Sequence, residues 1–211
     1  MSGRLKRSVT LIGALLAIMC MAAEGKMPTA GDDTSTIPVT PAATSSQPSH
    51  EMSALYPRVG TWQVVIRTEP GRSSTKGGVD KGVMTIKKGP GGFSIVQDFS
   101  SRGSSGYTVG QSYTWWDAAT KTYKSVWCDN MQGCIEFTTA ITGNSWMVAL
   151  DSQANSDKIH TIIRATMSSD HNTIHEEVTN SYNGGPAETE TVSDYKRVIA
   201  HMMSTYGHRA Y

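Results

Sequence analysis

The sequence predicts an all-β fold, a single antiparallel up-and-down β-barrel of about eight to ten strands. Three observations lead there. From Gly60 onward the chain is built of short segments in which apolar and polar residues alternate, the period of a strand with one buried face. Clusters of Gly, Asn, Asp, Ser and Pro separate these segments at short intervals. No amphipathic helical pattern stands out before the final dozen residues. An antiparallel sheet of this size closes on itself most economically, because closure removes both exposed edges.

The N-terminus reads as a leader. Arg4, Lys6 and Arg7 precede an apolar run over 9–21, and small residues follow at Ala22 and Ala23. A basic start, a short apolar stretch and a small-residue exit make residues 1–23 a signal peptide, too short for a membrane span. Export to the periplasm or the exterior is therefore expected, with no transmembrane segment in the mature chain. Cys20 offers a lipid anchor as the alternative, although Ile18 and Met19 stand where a lipidation site wants small residues. Removing the leader's basic residues leaves the mature chain at about −2, a near balance that argues against a nucleic-acid partner. Residues 24–50 are Ala, Thr, Ser, Pro, Gly and Asp with almost no large apolar side chain, so they read as a disordered linker. The barrel domain is placed at 51–200, with a flexible tail at 201–211.

The first strand follows the Pro57 and Gly60 punctuation, with Trp62, Val64 and Ile66 on one face. Segments 82–88 and 92–99 form a hairpin around Gly89, Pro90, Gly91 and Gly92, whose glycines permit positive φ. Further pairs are 107–116 with 121–128, 134–141 with 145–150, and 158–167 with 173–182. The last strand, 188–198, follows Asn183, Gly184, Gly185 and Pro186.

Candidate chemistry is sparse. Cys128 and Cys134 face each other across a hairpin tip, which in an exported protein reads as a disulfide. A metal-binding thiolate pair is the rival, and it lacks neighbouring ligands. His171 and His175 have the composition of metal ligands, but a turn residue and a strand residue do not share the helical i, i+4 geometry. Glu176 and Glu177 are adjacent in a strand and face opposite sides, so they are not a paired acid and base. There is no nucleophile elbow, phosphate-cradling loop or calcium loop in the sequence, and no cofactor is implied.

What remains is lining. Phe93 and Ile95 on one strand, Tyr107, Gln111, Tyr113 and Trp115 on the next, and Tyr123 and Trp127 on the one after each share a face. If those faces point inward they fill the barrel or line a cavity with a few polar handles. His160, beside Arg164 on its own strand face, is a further cavity candidate, with a surface histidine as the other reading.

Gly60, Thr61 and Trp62 resemble the Gly-x-Trp that opens lipocalin and calycin barrels, and Arg197 resembles their late basic residue. In those families the Trp closes one end and the Arg lies across its ring, which implies structural roles for Trp62 and Arg197 here. The order of further features is similar to the bacterial family known as domain of unknown function 1579. These are Pro70-Gly71, Gly91-Gly92-Phe93, the Gly106 to Gly110 region, Trp116-Asp117, Tyr123 to Trp127 with Asp129, Gly143, Glu176-Glu177 and Tyr195-x-Arg197. The resemblance implies a lipocalin-like barrel and no activity. The function expected from the lining is binding of a small apolar or amphipathic ligand. A hydrolase or isomerase in the same cavity, or an envelope interaction module on a packed barrel, stands as the alternative. Nothing in the sequence speaks to oligomeric state.

Overall fold

The computed structural model describes residues 47–154 and 156–198. The expected leader, most of the linker and the C-terminal tail lie outside the described residues. Ten antiparallel strands close into one barrel: β1 (Gly60–Thr68), β2 (Gly78–Lys88), β3 (Ser94–Gly103), β4 (Gly106–Asp117) and β5 (Thr122–Asp129), then β6 (Gly133–Thr142), β7 (Ser145–Ala154), β8 (Asp157–Met167), β9 (Thr173–Tyr182) and β10 (Ala187–Arg197). Each strand pairs with its sequence neighbours, and β1 also pairs with β10 to close the ring. The fold is thus the up-and-down barrel that the alternation predicts. No helix among the described residues is long and apolar enough to cross a membrane.

β1 shows how sequence period becomes barrel wall. Trp62, Val64, Ile66 and Thr68 are buried, while Gln63 and Arg67 are exposed, an alternation that only one sheet face can satisfy. The neighbouring strands repeat it with Met84 and Ile86 on β2 and with Tyr123, Ser125 and Trp127 on β5.

One element lies outside the expectation of an all-strand domain. Residues 50–58, assigned to the linker's end and the approach to β1, form a 3-10 helix, His50–Arg58. With three residues per turn, positions three apart lie above one another, so Met52 and Leu55 share one face, and both are almost fully buried. That face plugs one end of the barrel. The main core gathers beneath it from Met52, Leu55, Trp62, Val64, Ile86, Ile95, Tyr123, Met167 and Ile174. A smaller cluster of Val148, Ile163 and Val178 packs with Phe137 and Leu150. The helix-proximal end of the barrel is therefore solid, and the interior beyond it is only partly filled.

Candidate functional site

The hollow part is a cavity of about 120 Å³. Its lining has two characters. β1, β2, β7, β8 and β9 contribute apolar side chains, including Ile66, Met84, Val148, Ile163 and Ile174. β3 to β6 contribute hydroxyls, Ser101, Thr108, Ser112, Thr114, Ser125 and Thr139, alongside Phe99, Trp127 and Phe137. Thr114 and Ser125 satisfy each other at 2.9 Å, whereas the buried Thr108 Oγ1 has no partner. A wall of this kind presents hydrogen-bonding groups to whatever occupies the space.

The two ends of the cavity differ in charge. At the plugged end Arg58, the last residue of the helix, reaches inward beside Glu176 of β9 and Tyr195 of β10. The Tyr195 hydroxyl donates to Glu176 Oε1 at 3.0 Å. The Arg58 guanidinium lies 4.5 Å from the Trp146 ring centre, and its buried Nε has no hydrogen-bond partner. All three side chains are half-buried and line the cavity, and Arg58 also borders a second pocket beside Pro57, Asn144 and His171. Burial pushes the Glu176 carboxyl above its ordinary range, against the opposing pull of Tyr195 and Arg58. The same burial pushes the Tyr195 phenol well up and lowers Arg58.

Why Arg58 sits there follows from its backbone. Three successive carbonyls around it are held: Pro57 O by Arg197 Nη2 at 2.6 Å, Arg58 O by Trp62 Nε1 at 3.0 Å, and Val59 O by Arg197 Nη1 at 2.7 Å. Arg197 Nε also donates to His171 O at 2.7 Å, and its guanidinium lies 4.1 Å from the Trp62 ring centre. Trp62 and Arg197 are direct cross-strand partners where β1 meets β10, so closing the barrel brings ring and cation together. Gly60 makes room for the clamp, since a Cβ there would stand 2.4 Å from Arg197 Nη1. The Trp62 and Arg197 lock thus serves two purposes: it seals the barrel and fixes the segment that carries Arg58.

At the opposite end the β5–β6 turn folds over the opening. Asp129 organises it, accepting from Trp127 Nε1 at 2.7 Å and from the Met131 and Gln132 amides at 2.8 and 2.7 Å. Met131 and Gln132 line the cavity, and the buried Gln132 Oε1 is without a partner. Cys128 and Cys134 are cross-strand partners joined by a disulfide at the base of this turn. Asp80, nearly inaccessible, accepts from both the backbone and the hydroxyl of Ser105 on the adjoining rim. The Trp127 indole lies across Gly110 of β4, where a Cβ would come within 2.3 Å of the ring. Only glycine leaves that space.

The residues singled out from sequence are scattered by the fold. Trp127 lines the cavity. Ile95 and Tyr123 are buried, but in the solid core near the plug, where the Tyr123 hydroxyl donates to Glu51 O at 2.8 Å. Tyr107, Gln111 and Tyr113 point outward, Tyr107 half exposed at 50%, and Trp115 shares their face. That corrects the inward placement considered for this face of β4: its interior residues are Thr108, Gly110, Ser112 and Thr114. Phe93 is exposed on the turn before β3, so it is corrected likewise. His160 is also exposed, 2.8 Å from the Asp151 carboxylate, and does not enter the cavity. Among the described residues no cluster of three or more His, Cys, Asp or Glu is arranged to hold a metal ion.

Reading the sequence missed Arg58, Asp80, Asp129, Glu176 and Tyr195 as cavity residues. The alternation on β9 already set Glu176 opposite to Glu177, and the fold turns Glu176 inward while Glu177 accepts from Thr189 outside. No family model and no curated protein matches the chain, so the resemblance to domain of unknown function 1579 rests on the ordered motifs alone. Among solved structures the chain is similar to Rv2717c from M. tuberculosis, with a TM-score of 0.49 and 11% identity over 72% of this chain and 100% of that one.

Proposed function

We propose that this protein is an exported binder of a small amphipathic molecule, held in the barrel cavity. The observation that carries the reading is the split lining of the barrel cavity: one side apolar, the other bearing hydroxyls, with partnerless polar atoms at both ends. At about 120 Å³ the space is somewhat smaller than the apolar cavity of about 150 Å³ that holds benzene, which sets the scale of the ligand at a short chain or, with slight give in the walls, one small ring. The disulfide and the leader-like residues 1–23 support an oxidising compartment outside the cytoplasm. The hollow interior supports binding over a packed scaffold for an envelope module.

A second reading, a hydrolase or isomerase in the same cavity, draws on one specific observation. Glu176 and Tyr195 form a half-buried hydrogen-bonded pair beside Arg58, and a titratable pair facing a cavity is what acid or base chemistry needs. The deciding experiment is native mass spectrometry of the protein purified from its own host, joined to a thermal-shift panel of small lipids, aromatics and pigments. A co-purifying small molecule, or a saturable rise in melting temperature, supports binding. The bare chain together with a flat panel overturns it.

A further inference from the structure

We infer that the plugged end of the cavity is an anion subsite, in which Arg58 takes the carboxylate of an amphipathic ligand whose apolar part lies along the β7 to β9 wall. This deepens the binding reading and rests on it. Arg58 is delivered by the 3-10 helix to the floor of the cavity, with its own carbonyl and those of Pro57 and Val59 fixed by Trp62 and Arg197. Its position is therefore set before a ligand arrives. The guanidinium lies over the Trp146 ring, 4.5 Å from its centre, and its planar N–H groups form its hydrogen-bonding edge. Among the described residues that side chain donates no hydrogen bond, and its Nε is both buried and partnerless. That Nε has no accessible surface, so an acceptor in the cavity meets the guanidinium at its terminal N–H groups, which have no acceptor among the described residues.

The neighbouring carboxylate does not fill the role. Among the described residues Glu176 makes no ion pair with Arg58 within 4.0 Å, and one of its oxygens accepts from Tyr195 instead. With that oxygen taken by Tyr195 and no ion pair formed, the Arg58 terminal N–H groups are left for a second acceptor. At the far end the free polar atom of Gln132 is an acceptor, and Asp80 and Asp129 are carboxylates. Arg58 is the only cation among the described lining residues, so a ligand anion is directed to its end. The planar fork of an arginine suits a carboxylate, which it can meet with two parallel N–H donors.

The test compares matched acids and amides: benzoate with benzamide, cinnamate with cinnamamide, and hexanoate with hexanamide. Calorimetry and the emission of Trp127 and Trp146, both in the lining, report binding to the full mature protein. The acid of at least one pair is expected to bind about tenfold or more tightly than its amide, the usual scale of a charge-assisted hydrogen bond. Arg58→Met is expected to abolish that preference while amide affinity holds, and Arg58→Lys to retain part of it. Unfolding curves recorded alongside show whether Arg58→Met still folds, and the wild-type comparison stands without it. Amides binding as tightly as acids in the wild-type protein would overturn the anion subsite and leave the binding reading in place. A preference that survives Arg58→Met would overturn the role of Arg58. If no acid and no amide binds, the subsite is wrong, and the host-purified protein decides the binding reading separately.

Discussion

Replacing Arg197 with Met should weaken the barrel seam at a large cost in stability. The guanidinium makes three hydrogen bonds, to Pro57 O, Val59 O and His171 O, and stacks on a fully buried Trp62. Each charge-assisted hydrogen bond is worth about 1.5–3 kcal/mol, and a stacked cation adds about 0.5–2 kcal/mol. These do not add in full, because one group makes them all and water reaches some of the freed carbonyls. A net loss of about 3–5 kcal/mol follows. At about 2–4 °C per kcal/mol for a domain of this size, the melting temperature should fall by about 6–20 °C. Arg197→Lys keeps a charge over the ring but not the three-way fork, so about half the loss should remain. Urea denaturation followed by circular dichroism measures both variants. A loss below about 1 kcal/mol for Arg197→Met would refute the reasoning, since it would mean that neither the carbonyls nor the ring depend on the guanidinium.

Other consequences are equally open to measurement. Gly110→Ala drives a methyl into the Trp127 ring, and such overpacking costs about 1–3 kcal/mol; it should also shift Trp127 emission, because the indole must leave its Asp129 acceptor. Replacing Cys128 and Cys134 with Ser opens a loop of sequence separation 6 and should cost about 2 kcal/mol through the freed unfolded chain. The accompanying rise in amide exchange should be concentrated in residues 127–137, and equal exchange with and without the disulfide would refute a role for it at the rim. Glu176 gives a pH signature: its folded carboxyl holds a proton above its ordinary value of 4.5, so the unfolded chain releases that proton first. Stability should therefore fall as pH rises above 4.5, until the folded carboxyl has ionised, and Glu176→Gln should flatten that fall. Asp117 acts in the opposite sense. Lys124 and Thr120 hold it down to about 2, so its contribution is present above its ordinary 3.8, fades as pH drops through the acid range, and should vanish in Asp117→Asn.

The strand pattern was legible because a half-buried strand must alternate, and because turns at each end demand a small set of residues. Trp62, Val64 and Ile66 announce their face with no help from the rest of the chain. The cysteine pair was legible for a related reason, since a short hairpin brings its two flanks opposite each other. On β4 the same period left the choice of face open. Its odd positions carry aromatics and its even positions carry Thr108, Gly110, Ser112 and Thr114, so the apolar face looked like the inner one. A packed core would have required that choice, but a cavity does not, because an inner wall that meets a void gains little from being apolar. Pairing with β3 and β5 decided it, setting Gly110 under Trp127 and turning the tyrosines out. Arg58 was hidden for another reason. Nothing local marks a cation at the end of a short helix as interior, and its burial follows from carbonyls clamped by Trp62 and by Arg197, a residue some 140 positions further along the chain. Local alternation specifies two faces; which of them lines the cavity is settled by distant segments closing the ring.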